Sequence, residues 1–128
     1  MNKSCPFCTL PSERVWLSSA NFVGVLDQFP VAEGHALIIP KRHAASIFDL
    51  DASEQKEAWQ LVAQVRSELM KKYNPAGFTI GVNDGRAAGQ TIDHAHVHVI
   101  PRRIGDVQDP RGGVRWVIPS KADYWSKK

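Results

Sequence analysis

Long apolar runs are missing from this chain. No stretch approaches the roughly 20 residues of a membrane-spanning helix, and the opening Met1-Asn2-Lys3-Ser4-Cys5-Pro6 has no apolar core of a secretory signal. A cytoplasmic location is therefore expected. Cysteine is scarce, with Cys5 and Cys8 the only two, and in that compartment they are not expected to form a structural disulfide. Runs of basic residues are missing as well. Net charge is +3 with a pI near 9.0, an excess that suits an anionic small molecule at least as well as nucleic acid. The terminal Lys127-Lys128 pair is expected to be a solvated end. There is no internal repeat, low-complexity tract or linker, so residues 1–128 are expected to form one domain large enough for a core.

What is present is concentrated. The stretch Gln90-Thr91-Ile92-Asp93-His94-Ala95-His96-Val97-His98-Val99-Ile100-Pro101-Arg102 carries three of the five histidines. They alternate with Ala95, Val97 and Val99, a period of two that predicts a β-strand with His94, His96 and His98 on one face. Pro101 ends the ladder. Imidazole titrates near neutrality, so such a face can bind a metal, pass protons or attack an electrophile; the plain alternative is a His-rich solvent face. Just before it, Gly85 and Gly89 allow close backbone approach. Asn83, Gln90 and Thr91 add neutral donors without a carboxylate beside them, which suits phosphate oxygens. A structural turn would explain the glycines but not the donors.

Cys5-Pro6-Phe7-Cys8 reads as part of a zinc site or as a redox pair. Its irregular setting, followed by Pro11, favours zinc, and histidine is the only obvious source of two further ligands. Val15-Trp16-Leu17 and Asn21 to Leu26 read as a hairpin. The segment Asp27 to Gly34 reads as a loop, and His35 to Pro40 as a strand. One helix is clear: Asp51 or Ser53 as N-cap, then Ala58, Leu61, Val62, Val65, Leu69 and Tyr73 at three- and four-residue steps, with Asn74-Pro75 as its stop. Trp59 lies beside that stripe and is expected against the sheet or a partner subunit. Phe78 to Val82 reads as a strand. The resulting class is α+β, one main helix against a mainly antiparallel sheet of about five strands.

Gly89 to Pro101 resembles the signature of the histidine triad superfamily, His-φ-His-φ-His-φ-φ with φ apolar. Gly34-His35-Ala36-Leu37-Ile38-Ile39-Pro40-Lys41 is similar to that family's other block. The resemblance runs from Cys5 to about Arg103. It implies a nucleotide-binding hydrolase or transferase acting at the α-phosphorus, on a fold that usually dimerises and joins two sheets. It further implies His96 as nucleophile and His98 as the holder of phosphate. His35 would line the same pocket. Asn83, Gly89, Gln90 and Thr91 would stand around the phosphate, and Asp27 at the ribose.

In the cysteine-bearing bacterial-type branch, the resemblance implies a structural zinc on Cys5, Cys8, His43 and His94. The segment 1–10 is then a zinc knuckle and 104–128 a C-terminal extension. A competing account puts an open zinc on His94 and His96, or on all three triad histidines, as a hydrolytic centre. A different class altogether is a nucleotide- or nucleic-acid-binding module without turnover, which Arg102, Arg103, Arg111 and Arg115 near the site would serve. Within the family, Gly89 to Arg103 and Gly105-Asp106 look most like the branch that cleaves dinucleoside polyphosphates. The knuckle, Asn83 and Asp27 depart from the fragile histidine triad proteins of that branch. Diadenosine tetraphosphate, other dinucleotides and nucleoside phosphoramidates all remain open as substrates. The tail Arg111 to Trp116 resembles an extension in bacterial diadenosine tetraphosphate hydrolases. Arg111 or Arg115 would contact distal phosphates there, or Trp116 a base; otherwise the tail packs on the domain or a dimer mate. The expectation is a zinc-stapled, homodimeric nucleotide hydrolase.

Overall fold

The computed structural model describes residues 5–126, so the Lys127-Lys128 end and the first four residues lie outside it. In chain order come β1 (Val15–Ser18), β2 (Phe22–Leu26), β3 (Ala36–Pro40), α1 (Ala52–Tyr73), β4 (Gly77–Gly81), β5 (Val97–Arg102) and the short α2 (Pro119–Ala122). The five strands form one sheet in the order β1-β2-β3-β5-β4, and every neighbouring pair is antiparallel. No helix among the described residues is long and apolar enough to cross a membrane.

Helix α1 begins where the sequence supplies a reciprocal cap. Asp51 accepts from the Glu54 backbone N–H, and the Glu54 side chain accepts from the Asp51 N–H. It ends at Asn74, which turns left-handed at φ 47° and donates its N–H to the Met70 carbonyl. Ala58, Leu61, Val62, Val65 and Leu69 are buried against Phe22, Ala36, Ile38, Val97 and Val99 of the sheet. Each of the larger side chains among them contributes about 1.5–3 kcal/mol relative to exposure. Trp59 sits outside the stripe and is 63% exposed, so of its two expected places, the sheet and a partner subunit, the sheet does not hold it.

The loop into β3 crosses the end of α1 closely. Gly34 has φ +89°, and a Cβ there would meet the Tyr73 ring at 2.9 Å and Leu69 at 3.1 Å. Only glycine satisfies both demands. β3 then sends alternate side chains to opposite faces. Ala36 and Ile38 join the helix-side core, while Leu37 and Ile39 join Val25 in a second cluster with Phe7, Leu10 and Val23. The N-terminal knuckle thus covers the face that α1 leaves bare.

The histidine segment departs from the expected strand. β5 starts at Val97, so His98 alone of the three triad histidines lies in it. The ladder with β3 runs Ala36↔Val99, Leu37↔His98, Ile38↔Val97 and stops there. Pro40 has no N–H to continue it, and its carbonyl accepts from the His94 ring instead. The period of two persists in the packing, since Ala95, Val97 and Val99 all enter the helix-side core.

Candidate active site and metal centre

Two groups of side chains grow from this arrangement. In the first, Cys5, Cys8, His43 and His94 bring their ligand atoms within 4.8 Å of one another. The His94 Nδ1 lies 3.4 Å from the Cys5 Sγ and 3.6 Å from the Cys8 Sγ. The His43 Nδ1 lies 3.1 Å from the Cys8 Sγ. Both cysteines are thiols, not joined in a disulfide. The far side of the His94 ring fixes its chemistry: Nε2–H donates to the Pro40 carbonyl at 2.8 Å, so Nδ1 carries the lone pair and faces the sulfurs. Burial pushes the His94 pKa down against that carbonyl bond, which keeps the ring neutral. Two soft sulfurs and two imidazoles in this spacing suit a closed tetrahedral zinc site, and His94 carries the outer hydrogen bond such ligands make.

The second group borders a cavity of about 410 Å³ on the knuckle side of the sheet. His96 and His98 line it, with Asp27, Asn83, Gly89, Gln90 and Thr91. The His96 Nδ1–H donates to the His94 carbonyl at 2.9 Å. That bond assigns the proton to Nδ1 and leaves the Nε2 lone pair as the reactive one. The rings of His96 and His98 are 5.0 Å apart.

His35 is buried and does not border the cavity, contrary to expectation. It stands behind His98. Its Nδ1 accepts from the Val31 N–H at 3.1 Å, so its proton is on Nε2. That Nε2–H donates to the His98 Nδ1 at 2.9 Å, ahead of the Asp27 carboxylate at 3.4 Å. Burial lowers the His35 pKa, with Asp27 opposing. Burial also pushes His98 down to about 4, helped by His96 and His35. Both rings are therefore neutral at pH 7. Because His98 accepts at Nδ1, its own proton sits on Nε2. A neutral donor is thus placed beside the His96 ring.

The loop residues divide. Asn83 and Thr91 line the cavity, and neither side chain has a hydrogen-bond partner among the described residues. Gln90 is engaged: its amide donates to the Ala45 and Ile92 carbonyls, and its oxygen accepts from the Gly85 N–H. In this structure it braces the loop and offers no donor to an anion. Gly89, at φ 92°, closes the 3-10 turn Arg86–Ala88. Asp27 accepts from the Phe29 N–H through one oxygen, making a turn and bordering the cavity at once.

None of Arg102, Arg103, Arg111 or Arg115 borders this cavity. Arg102 pairs with Asp106 and Arg111 with Asp109. Arg103 donates to the Glu33 carbonyl, and Arg115 to those of Lys121 and Ala122. The tail folds on itself, with Trp116 Nε1–H donating to the Arg111 carbonyl. The three triad histidines do not converge on one point either, since the His94 lone pair faces the cysteines while the His96 Nδ1 is bonded to a carbonyl. Sequence reasoning missed Phe7, Leu10, Arg14 and Phe29 as cavity residues. The one available signal was an aromatic between two cysteines that need none to bind metal.

Residues 12–105 match the HIT domain family. The chain is 35% identical over 100 residues to the nitrilase and fragile histidine triad fusion protein of Caenorhabditis elegans, which takes in 78% of this chain and only 23% of that protein. It is 32% identical over 104 residues to the bis(5'-adenosyl)-triphosphatase of Dictyostelium discoideum, 81% of this chain and 69% of that one. Among solved structures, a zinc-bound histidine triad family protein from Mycobacterium smegmatis superposes with a TM-score of 0.74 at 34% identity, covering 83% of this chain and 80% of its own.

Proposed function

This chain belongs to the HIT domain family, and on that premise we infer that it is a nucleotide hydrolase that cleaves dinucleoside polyphosphates at the α-phosphorus. The observation that carries the reading is the bond from the His96 Nδ1–H to the His94 carbonyl. It turns Nε2 away from that carbonyl, on a cavity wall shared with His98, Asn83 and Thr91. His96 Nε2 forms the bond to phosphorus as the bridging oxygen leaves with its electron pair. The His98 Nε2–H donates to the phosphoryl oxygen, where charge accumulates, or to the departing oxygen. Asn83 and Thr91 supply the free donors, and Asp27 accepts from ribose. Water then attacks the nucleotidyl-imidazole, and nucleoside monophosphate is released with His96 regenerated. The triphosphatase relative and the family match support hydrolysis of nucleotides in general; the covalent route rests on the ring geometry.

Zinc on Cys5, Cys8, His43 and His94 supplies a structural cross-link between the N-terminus and the histidine segment, and no Lewis acid at phosphorus. The zinc-bound relative supports that identity of the ion. The working unit is a homodimer; β4, at one edge of the sheet, leaves a row of backbone groups for a second copy to pair with.

The experiment is to quench the enzyme during turnover of diadenosine tetraphosphate, diadenosine triphosphate and an adenosine phosphoramidate, and to map the adduct by mass spectrometry. A nucleotidyl group on His96 is expected. His96→Ala is expected to lower kcat/KM on the order of 10⁴-fold or more with zinc retained. An adduct on another residue, or turnover by His96→Ala at the wild-type rate, would overturn the mechanism.

A further inference from the structure

A Cys-x-x-Cys knuckle needs its two sulfurs, and the residues between them are free to vary as far as the metal is concerned. Here they are used. Pro6 and Phe7 both border the substrate cavity, in contact with the space that His96 and His98 face. The Phe7 ring stands edge-on to two histidines, 5.8 Å from His94 at 85° and 5.1 Å from His96 at 77°. Its other side packs on the cluster of Val25, Leu37 and Ile39 that the sheet presents on this face. Phe7 is therefore wedged between the sheet, a metal ligand and the nucleophile.

A second connection runs through the backbone. His94 turns its Nδ1 to the cysteine sulfurs, and its own carbonyl accepts the His96 Nδ1–H. The residue that binds metal is the residue that places the proton on the nucleophile. Each route from the ligand set to the His96 ring is one residue long. One holds the ring where its Nδ1–H reaches that carbonyl, and the other is the carbonyl itself. The first is lost if the knuckle swings away from the sheet.

We propose that the knuckle is the positioning element of the nucleophile, with Phe7 its positioning residue, so that metal loading sets nucleotide affinity and the tautomer of His96. This rests on the reading of His96 as nucleophile given above. Zinc acts on the reaction here without touching the substrate. Two pieces of chain are held in register, and loss of the ion loosens a cavity wall together with the carbonyl behind the ring.

The test compares zinc-loaded wild type, chelator-stripped wild type, Phe7→Ala and Phe7→Tyr. The probes are adenosine 5'-monophosphate binding by titration calorimetry and the ¹⁵N shifts of the His96 ring, with zinc content measured for each sample. Phe7→Ala is expected to keep its zinc yet bind the monophosphate about tenfold more weakly. Its His96 signals should move off the Nδ1-protonated pattern, and KM should rise more than kcat falls. Phe7→Tyr keeps the ring edge and is expected to return affinity to within about threefold of wild type. Stripped protein should show the same His96 shift and a larger loss of affinity. If stripping unfolds the chain, the zinc-loaded Phe7→Ala protein decides alone. Wild-type affinity and unshifted His96 signals in Phe7→Ala would overturn the proposal. A zinc-loaded wild type that neither binds the monophosphate nor forms an adduct would instead remove the functional reading, and this would be visible before any variant was made.

Discussion

Two clusters of ligand-type side chains lie on the knuckle side of the sheet, Cys5-Cys8-His43-His94 and Asp27-His35-His98, each with its atoms within 4.8 Å of one another. By residue type both could hold a cation. They differ in where hydrogen bonds have already placed the protons. At His94 the carbonyl of Pro40 takes the Nε2–H, and a lone pair is left pointing inward. At His35 the Val31 N–H takes the Nδ1 lone pair, and a proton is left pointing inward, toward His98. The first cluster is an array of acceptors and suits a metal; the second is a donor chain and suits a phosphate. One backbone contact per ring makes the difference.

Breaking the acceptor array should have the largest effect on the fold. Cys5→Ser is expected to abolish stoichiometric zinc and lower stability by about 3 kcal/mol or more, roughly 10 °C in Tm. Metal analysis and a thermal melt check it, and unchanged zinc would show that the cluster does not bind as assigned. Breaking the donor chain should spare zinc and act on turnover. His35→Phe removes the proton that fixes His98, and kcat is expected to fall about 10- to 100-fold with metal content unchanged; a simultaneous loss of zinc would mean that the two clusters are not separable.

The donor chain also predicts a pH dependence of stability. His98 has a folded pKa of about 4, below its ordinary value of 6.5. Between those values the unfolded chain binds more protons, so stability is full above pH 6.5 and declines as pH falls toward 4. One such group gives a slope of at most about 1.4 kcal/mol per pH unit, less for a ring this partly screened. Denaturant melts at pH 7 and 4.5 should show the loss, and His98→Gln should flatten it. The smallest effect is expected in the tail, which belongs to neither cluster. Arg111→Ala should leave kcat/KM within about twofold, because that guanidinium pairs with Asp109 and lies over the Trp125 ring. A drop beyond tenfold would restore a role for the tail at the distal phosphates.

Much of this was legible in the residues. The three- and four-step apolar stripe gave α1, and Asp51 or Ser53 marked its start, of which the structure uses Asp51, because capping is a local transaction. The Cys-x-x-Cys and the alternating histidines marked the chemistry, since few other side chains do those jobs. What sequence misjudged were consequences of neighbours far along the chain. β5 begins three residues after His94 because Pro40 cannot extend the ladder. Gln90 turns inward because the Ala45 carbonyl is there to receive it. His35 sits behind the cavity because Gly34 brings the loop down onto α1. Phe7 became a cavity wall once the knuckle closed over β2 and β3.

By itself, the sequence determined which elements form and which side chains are available, because periodicity, caps and residue chemistry act over a few positions. The tertiary structure decided what His94 and His98 do. A neutral ring holds one proton on either of two nitrogens, and its partner chooses between them. For His94 that partner is a carbonyl 54 positions away, and for His98 a second ring 63 positions away.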